Sequence, residues 1–376
     1  MADIVRVQRI HPDLWIIAPA GAPTAADSGP GLDTAVLEVA GGHLTWSLLA
    51  GHRVPAATLH DLDGAQEWLW ALYGAEVAVA ADEYTRPVDL PAHPEQPGLA
   101  AAVRRLAYAH WSARWWPAST VDGIAALDPE LLDGEIAELT RSCENVVNGA
   151  DSEPFTEQVS NSLPGDRDTA ARIPEPTTAR ADDYALAAGG AAAGQGTALP
   201  LGRGGSGWDW RLCPPGVVDA SERAVSWALF RTAGSTIVRV TAVAAPSVTA
   251  GLPGYLRPRA LIRTPAGAVD AALELHDDTW SGEVTGPADA VTGVEIYVPG
   301  VGPAPPAGTA EPAESSAGHV AAGRISEVEH REHIRELARN RLRRAAGATA
   351  APAGFPSADI APLRSETAAA EEDSDF

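Results

Sequence analysis

The chain has 376 residues, and all 27 of its basic residues are arginine. The absence of lysine excludes a Walker A phosphate loop, a Schiff-base lysine, a Ser–Lys nucleophile and the kinase lysine. Hydrophobic content of 45% is ordinary for a globular protein, while a net charge of −23 argues against nucleic acid or an anionic membrane as partner of the whole chain.

Alanine, glycine, proline and arginine share GC-rich codons, so the missing lysine reads as the codon bias of a GC-rich bacterial genome. No run of about 18 apolar residues occurs, so no membrane-spanning helix is expected. The first residues, MADIVRVQRIHPDLWIIAP, lack the order of a secretory signal because Asp3, Arg6 and Arg9 interrupt it. Cys143 and Cys213 lie far apart and suggest no disulfide framework. A cytoplasmic location follows as the expectation.

Residues 1–148 read as a compact, acidic α+β domain; residues 1–150 hold 20 acids and 8 arginines. IVRVQRI and LWIIAP are short strand patterns. TAVLEVAGGHLTWSLLAG carries two β-rich runs around Gly41-Gly42, a hairpin signal. HDLDGAQEWLWALYG switches to helix, with Asp61 or Asp63 as cap and Gly74 as stop. EVAVA (76–80) reads as a strand, and RPVDLPAHPEQP as a proline-punctuated loop.

Two longer helices follow. The first, 98–116, carries the stripes Leu99, Val103, Leu106, His110 and Arg104, Tyr108, Trp111, Trp115, and ends at Pro117. Asp128-Pro129 starts the second with a cap and an N1 proline, and Leu132, Ile136, Leu139, Cys143 and Val147 form its apolar stripe. The two are expected to pack as an antiparallel pair.

Residues 149–205 are dominated by Ala, Gly, Pro, Thr and Asp and read as a flexible linker. Residues 206–300 offer seven strand patterns separated by turn signals: WDWRLC, RAVSWALF, STIVRVTAV, LRPRALIRT, AVDAALEL, WSGEV and GVEIYV. That spacing predicts an immunoglobulin-like antiparallel β-sandwich. Its core is expected to hold Ala260, Ile262, Leu273, Leu275, Val294, Ile296 and Val298. The opposite parity exposes Arg257, Arg259, Arg263, Asp270, Glu274 and His276, with arginines facing acids across strands.

Residues 301–320 form a Pro/Ala/Gly tether. Residues 321–346 read as an isolated amphipathic helix with Ile334, Leu337, Ala338 and Leu342 on its apolar side and arginines late in its length. The tail, 347–376, holds 6 acids and 1 arginine and reads as disordered.

No strong catalytic or cofactor motif appears, and no cofactor is expected. His60-Asp61-Leu62-Asp63 offers an imidazole and two carboxylates to a divalent metal, though helix capping explains the same aspartates. His276-Asp277-Asp278 fits turn chemistry. His330 and His333, with Glu329 nearby, are spaced for a metal or a pH-sensitive contact, though a solvated helix flank explains them as well. Cys143 and Cys213 read as packed thiols. Most of the eleven tryptophans read as core anchors.

The expectation is therefore a non-enzymatic interaction or adaptor protein of a bacterial cytoplasm, binding a protein partner. Its contact residues would be Arg257, Arg259 and Arg263 on the sheet and Ile334, Leu337 and Arg341 on the helix. The basic end of that helix would dock on an acidic surface, a partner's or that of the N-terminal domain. The competing expectation is a metal-assisted hydrolase using His60, Asp61 and Asp63.

Overall fold

The computed structural model describes residues 3–24, 31–149, 199–232, 234–248, 251–286, 291–303, 326–347 and 360–374. Most of the proposed linker and tether lies outside them. The architecture is α+β, with antiparallel sheets and helices in both halves.

The first unit is built on a six-stranded sheet of β1 (Ile4–His11), β2 (Leu14–Pro19), β3 (Thr34–Val39), β4 (Gly42–Ser47), β5 (Ala56–Leu59) and β6 (Val88–Pro91). The strand order is β3-β4-β5-β2-β1-β6, with every pair antiparallel. Alternation along β1 and β3 buries Val5, Val7, Ala35, Leu37 and Val39 and exposes Ile4 and Val36. One face is therefore covered and the other meets solvent. Helices α1 (Leu62–Tyr73), α2 (Ala75–Asp82), α3 (Pro97–Trp115), α4 (Pro129–Ser142) and the short α5 (Glu144–Val147) complete this unit.

Local chemistry explains several boundaries. Asp61 caps α1 by accepting from the Gly64 amide at 3.2 Å. Asp128 caps α4 through the Glu130 and Leu131 amides at 2.8 and 3.1 Å, with Pro129 at the first helical position. The β3–β4 hairpin turns through Ala40-Gly41, one residue earlier than the glycine pair suggests, because Val39 pairs with Gly42. Gly41 has φ of 75°, and a Cβ there would sit 2.2 Å from the Asp61 carbonyl oxygen.

The segment EVAVA is helical, within α2, rather than a strand. Gly74, at φ 95°, breaks the chain between α1 and α2. Beyond it Val77, Ala78 and Ala81 fall on one helical face and are buried. A four-residue apolar alternation cannot distinguish these periods. Strands β5 and β6 lie where no strand pattern was evident.

The second unit has a five-stranded sheet of β7 (Leu199–Ser206), β8 (Val225–Thr232), β9 (Ser235–Val243), β12 (Glu274–His276) and β13 (Thr279–Gly286), ordered β12-β13-β9-β8-β7. A three-stranded sheet holds β10 (Arg259–Thr264), β11 (Gly267–Ala272) and β14 (Gly293–Tyr297), ordered β11-β10-β14. Ala260, Ile262, Leu273, Val294, Ile296 and Val298 are buried as the alternation required, and Leu275 is half-buried.

Three strand boundaries depart from the sequence pattern. WDWRLC is a turn segment, anchored by Trp208 and Trp210 rather than by pairing. AVDAALEL is divided between β11 and β12, so the chain leaves one sheet for the other at Leu273. Residues 199–206, glycine-rich and assigned to the linker, form edge strand β7; a Cβ on Gly204 would lie 2.6 Å from the Trp227 ring.

The C-terminal region differs most from expectation. Helix α6 (Glu327–Ala345) is not isolated, and α7 (Arg364–Ser374) forms within the tail read as disordered. Ile334, Leu337, Ala338, Ile360, Leu363 and Ala369 join one apolar cluster with buried residues of both units.

Candidate functional site

The strongest concentration of buried charge lies where α6 and α7 meet the two units. Ser326 caps α6, accepting from the Glu329 amide at 3.2 Å while Glu329 accepts from the Ser326 amide at 2.9 Å. The helix therefore starts at a fixed residue, which sets which side chains point inward. One face carries Ile334, Leu337 and Ala338; beside them Arg331, Arg335 and Arg341 are also buried.

Each arginine meets a carboxylate from elsewhere in the chain. Arg331 forms a two-point contact with Glu222, Nε to Oε1 at 2.6 Å and Nη2 to Oε2 at 2.9 Å. Burial works against the Arg331 charge, and Glu222 more than offsets it, so its pKa is raised. Arg335, only 2% exposed, donates to the Ala220 carbonyl at 3.0 Å, to Glu222 at 3.1 Å and to Glu332 at 2.6 Å. Its Nε lies 3.7 Å from Asp122 of the first unit.

Arg341 donates to both oxygens of Glu366 at 2.9 and 2.6 Å and to the Ile360 and Ala361 carbonyls at 2.6 and 3.1 Å. Its guanidinium also lies 4.6 Å over the Tyr108 ring of α3. The Tyr108 hydroxyl donates to Glu366 at 2.6 Å. Burial, reinforced by Glu366, pushes the Tyr108 pKa up. The same tail is tied to α4, because the Arg364 amide donates to Glu135 at 2.8 Å and its side chain to Glu138 at 2.6 Å.

Two further ties hold the units together. His330 Nε2 lies 2.9 Å from Asp33, whose other oxygen accepts from Ser47. Burial raises the Asp33 pKa, but these hydrogen bonds outweigh it and hold the carboxyl below its usual range. Asp219, fully buried in the second unit, accepts from Ser119 Oγ at 2.6 Å, the Thr120 amide at 2.8 Å, Thr120 Oγ1 at 3.0 Å, the Val121 amide at 3.3 Å and the Ser221 amide at 2.9 Å. The first four donors belong to the loop after α3, so one carboxylate pins that loop to the second unit.

The proposed contact residues separate accordingly. Ile334, Leu337 and Arg341 are buried inside the chain and are not presented to a partner. Their docking surface is the chain's own, with Glu366 and Tyr108 as the acidic and aromatic partners. On the sheet, Arg259 pairs with Asp270 and Arg263 with Glu295, while exposed Arg257 donates to the Leu252 carbonyl at 3.2 Å. The Asp270 carboxyl is held below its usual range; burial opposes this, and the Arg259 and Tyr297 hydrogen bonds outweigh it.

Of the metal alternative, Asp61 is engaged in capping α1, and the His60 ring lies 6.4 Å from that of His43. His60, Asp61 and Asp63 do not converge: among the described residues no group of three or more His, Cys, Asp or Glu side chains is placed to hold a metal ion. Cys143 and Cys213 are buried free thiols; burial pushes the Cys143 pKa up to about 11 and raises that of Cys213 as well. His276 lies in an open groove of about 550 Å³ with Arg239, Glu274, Ser281 and Glu283. Ser281 Oγ is 3.3 Å from His276 Nδ1, which also faces the Glu274 carbonyl at 3.2 Å. Among the described residues no carboxylate is hydrogen-bonded to that imidazole, as the orienting group of a nucleophile–base pair would be.

Glu222, Glu366, Asp219 and Asp33 carried no sequence signal, since each is a single acid in an unremarkable context. The arginines on the apolar side of a helix were the available clue. Among the described residues no helix is long and apolar enough to cross a membrane. Compared with protein-family models, curated proteins and solved structures, the chain shows no match to any of the three.

Proposed function

We propose that this chain is a non-enzymatic interaction protein of a bacterial cytoplasm, an adaptor that presents protein-binding surfaces in a fixed relation. The observation that supports this reading is the docking of α6 and α7 within the chain: three buried arginines and their carboxylates hold the two sheet-bearing units together. A helix spent in this way is a clamp, and binding falls to the surfaces it fixes. The five- and three-stranded sheets would form the two layers of an immunoglobulin-like β-sandwich. Its outer face, with Arg257, Arg259 and Arg263 interspersed with Asp270 and Glu295, suits a polar protein surface better than nucleic acid.

Affinity capture with the full chain tests the reading. A stoichiometric protein partner that is lost on Arg257→Glu with Arg263→Glu supports it. Stoichiometric metal in the purified protein, lost on Asp61→Ala and Asp63→Ala, would replace it with the hydrolase reading.

A further inference from the structure

A second surface, on the first unit and remote in sequence from the arginine-bearing sheet, has its own chemistry. Helices α1 and α2 are separated only by Gly74 and leave between them an open groove of about 340 Å³. Gln66 and Trp70 of α1 and Ala75, Ala78, Val79 and Asp82 of α2 line it. Trp70 is 42% exposed and Val79 is 53% exposed. The other ten tryptophans of the chain are buried or half-buried. The Gln66 Nε2 at the groove wall has no acceptor among the described residues.

The charge carried by the two helices themselves has one sign, and of it Asp82 lines the groove directly. Residues 62–83 contain Asp63, Glu67, Glu76, Asp82 and Glu83 and no arginine. All five acids are exposed. An exposed tryptophan in a helix–helix groove is a typical anchor for an apolar side chain of a partner, and Trp is among the residues that dominate interface energies. The acidic rim decides what that partner must be. A second copy of this chain, docked isologously, would set these acids against themselves on a molecule already at −23. An anionic membrane meets the same repulsion.

We propose that the α1–α2 groove binds a basic amphipathic peptide segment of another protein, an apolar side chain seated against Trp70 and Val79 and arginines or lysines on the acidic rim. This rests on reading the chain as an interaction protein but uses a different surface, so charge reversal on the 257–263 sheet face leaves it untouched.

Selection of a displayed random peptide library against the full chain tests it. Enriched peptides are expected to carry net positive charge and a large apolar anchor. Their Kd should rise by about tenfold or more on Trp70→Ala, and comparably on Glu67→Arg with Asp82→Arg. Val79→Glu gives a second, independent check at an exposed position, and circular dichroism verifies the fold of each variant. No enrichment, enrichment of neutral or acidic peptides, or equal binding to wild type, Trp70→Ala and Val79→Glu overturns the proposal.

Discussion

Arg341 and Glu366 form a two-point ion pair with both side chains buried, their N–O distances being 2.9 and 2.6 Å. The pair closes the C-terminus onto α3. Taking two charges from water is costly, and the attraction offsets that cost only when every remaining donor and acceptor is used. Much of that demand is met: Arg341 also serves two main-chain carbonyls, and Glu366 also accepts from Tyr108 and from the Leu363 amide at 2.7 Å. The burial of the arginine opposes its charge, and Tyr108 with Glu366 reverses the effect, so its pKa is raised.

Breaking this pair on one side should therefore be worse than removing it. Arg341→Met or Glu366→Leu alone is expected to cost about 3–5 kcal/mol in chemical denaturation, because each leaves a buried charge unpaired. The double variant should lose less than the sum of the two. Additive losses would show that the two residues act independently.

Truncation after Gly347 removes α7 and with it Glu366, although the deleted segment has the composition of a disordered tail. The expected result is faster hydrogen exchange in α3 and α4, since Arg105 loses the Pro362 carbonyl and Glu135 loses the Arg364 amide. Unchanged exchange in α3 and α4 would mean that the tail contributes nothing to the first unit.

Asp219→Ala should loosen the contact between the units. Five donors lose their acceptor at a fully buried position, and a cost of at least about 3 kcal/mol follows from leaving several of them unsatisfied. Proteolysis should open the loop at 118–124 in this variant before it opens elsewhere in the described residues. Asp61→Ala, by comparison, removes an exposed helix cap and should cost about 1 kcal/mol.

The cysteines set an alkaline limit. A thiol of pKa about 8.5 in the unfolded chain is pushed up to about 11 at Cys143 in the folded one. Between those values the unfolded state sheds its proton first, so stability should fall as pH rises from about 8.5 toward 11. Replacement of both Cys143 and Cys213 by alanine should flatten that decline. Thiol reagents should label neither cysteine in the native protein near neutral pH, and rapid labelling would contradict the burial.

Local signals were legible where the cause is local. The caps at Asp61 and Asp128, the proline at Pro129, the glycine break at Gly74 and the alternation that buries Ala260, Ile262 and Ile296 all act within a few residues of themselves. The sequence also determined the apolar face of α6, because Ile334, Leu337 and Ala338 recur at helical spacing. It failed at EVAVA, too short to tell a period of two from one of 3.6. It failed too at β7, where glycines that flank the Trp227 ring carry the composition of a linker.

Only the tertiary structure decided what that helix docks against and what its arginines do. Arg331 meets Glu222, 109 positions away, and Tyr108 meets Glu366, 258 positions away. An arginine beside an apolar stripe looks the same whether it faces water, a partner or a distant carboxylate. Its role depends on which acid the folded chain brings within hydrogen-bonding distance, and no local pattern encodes that.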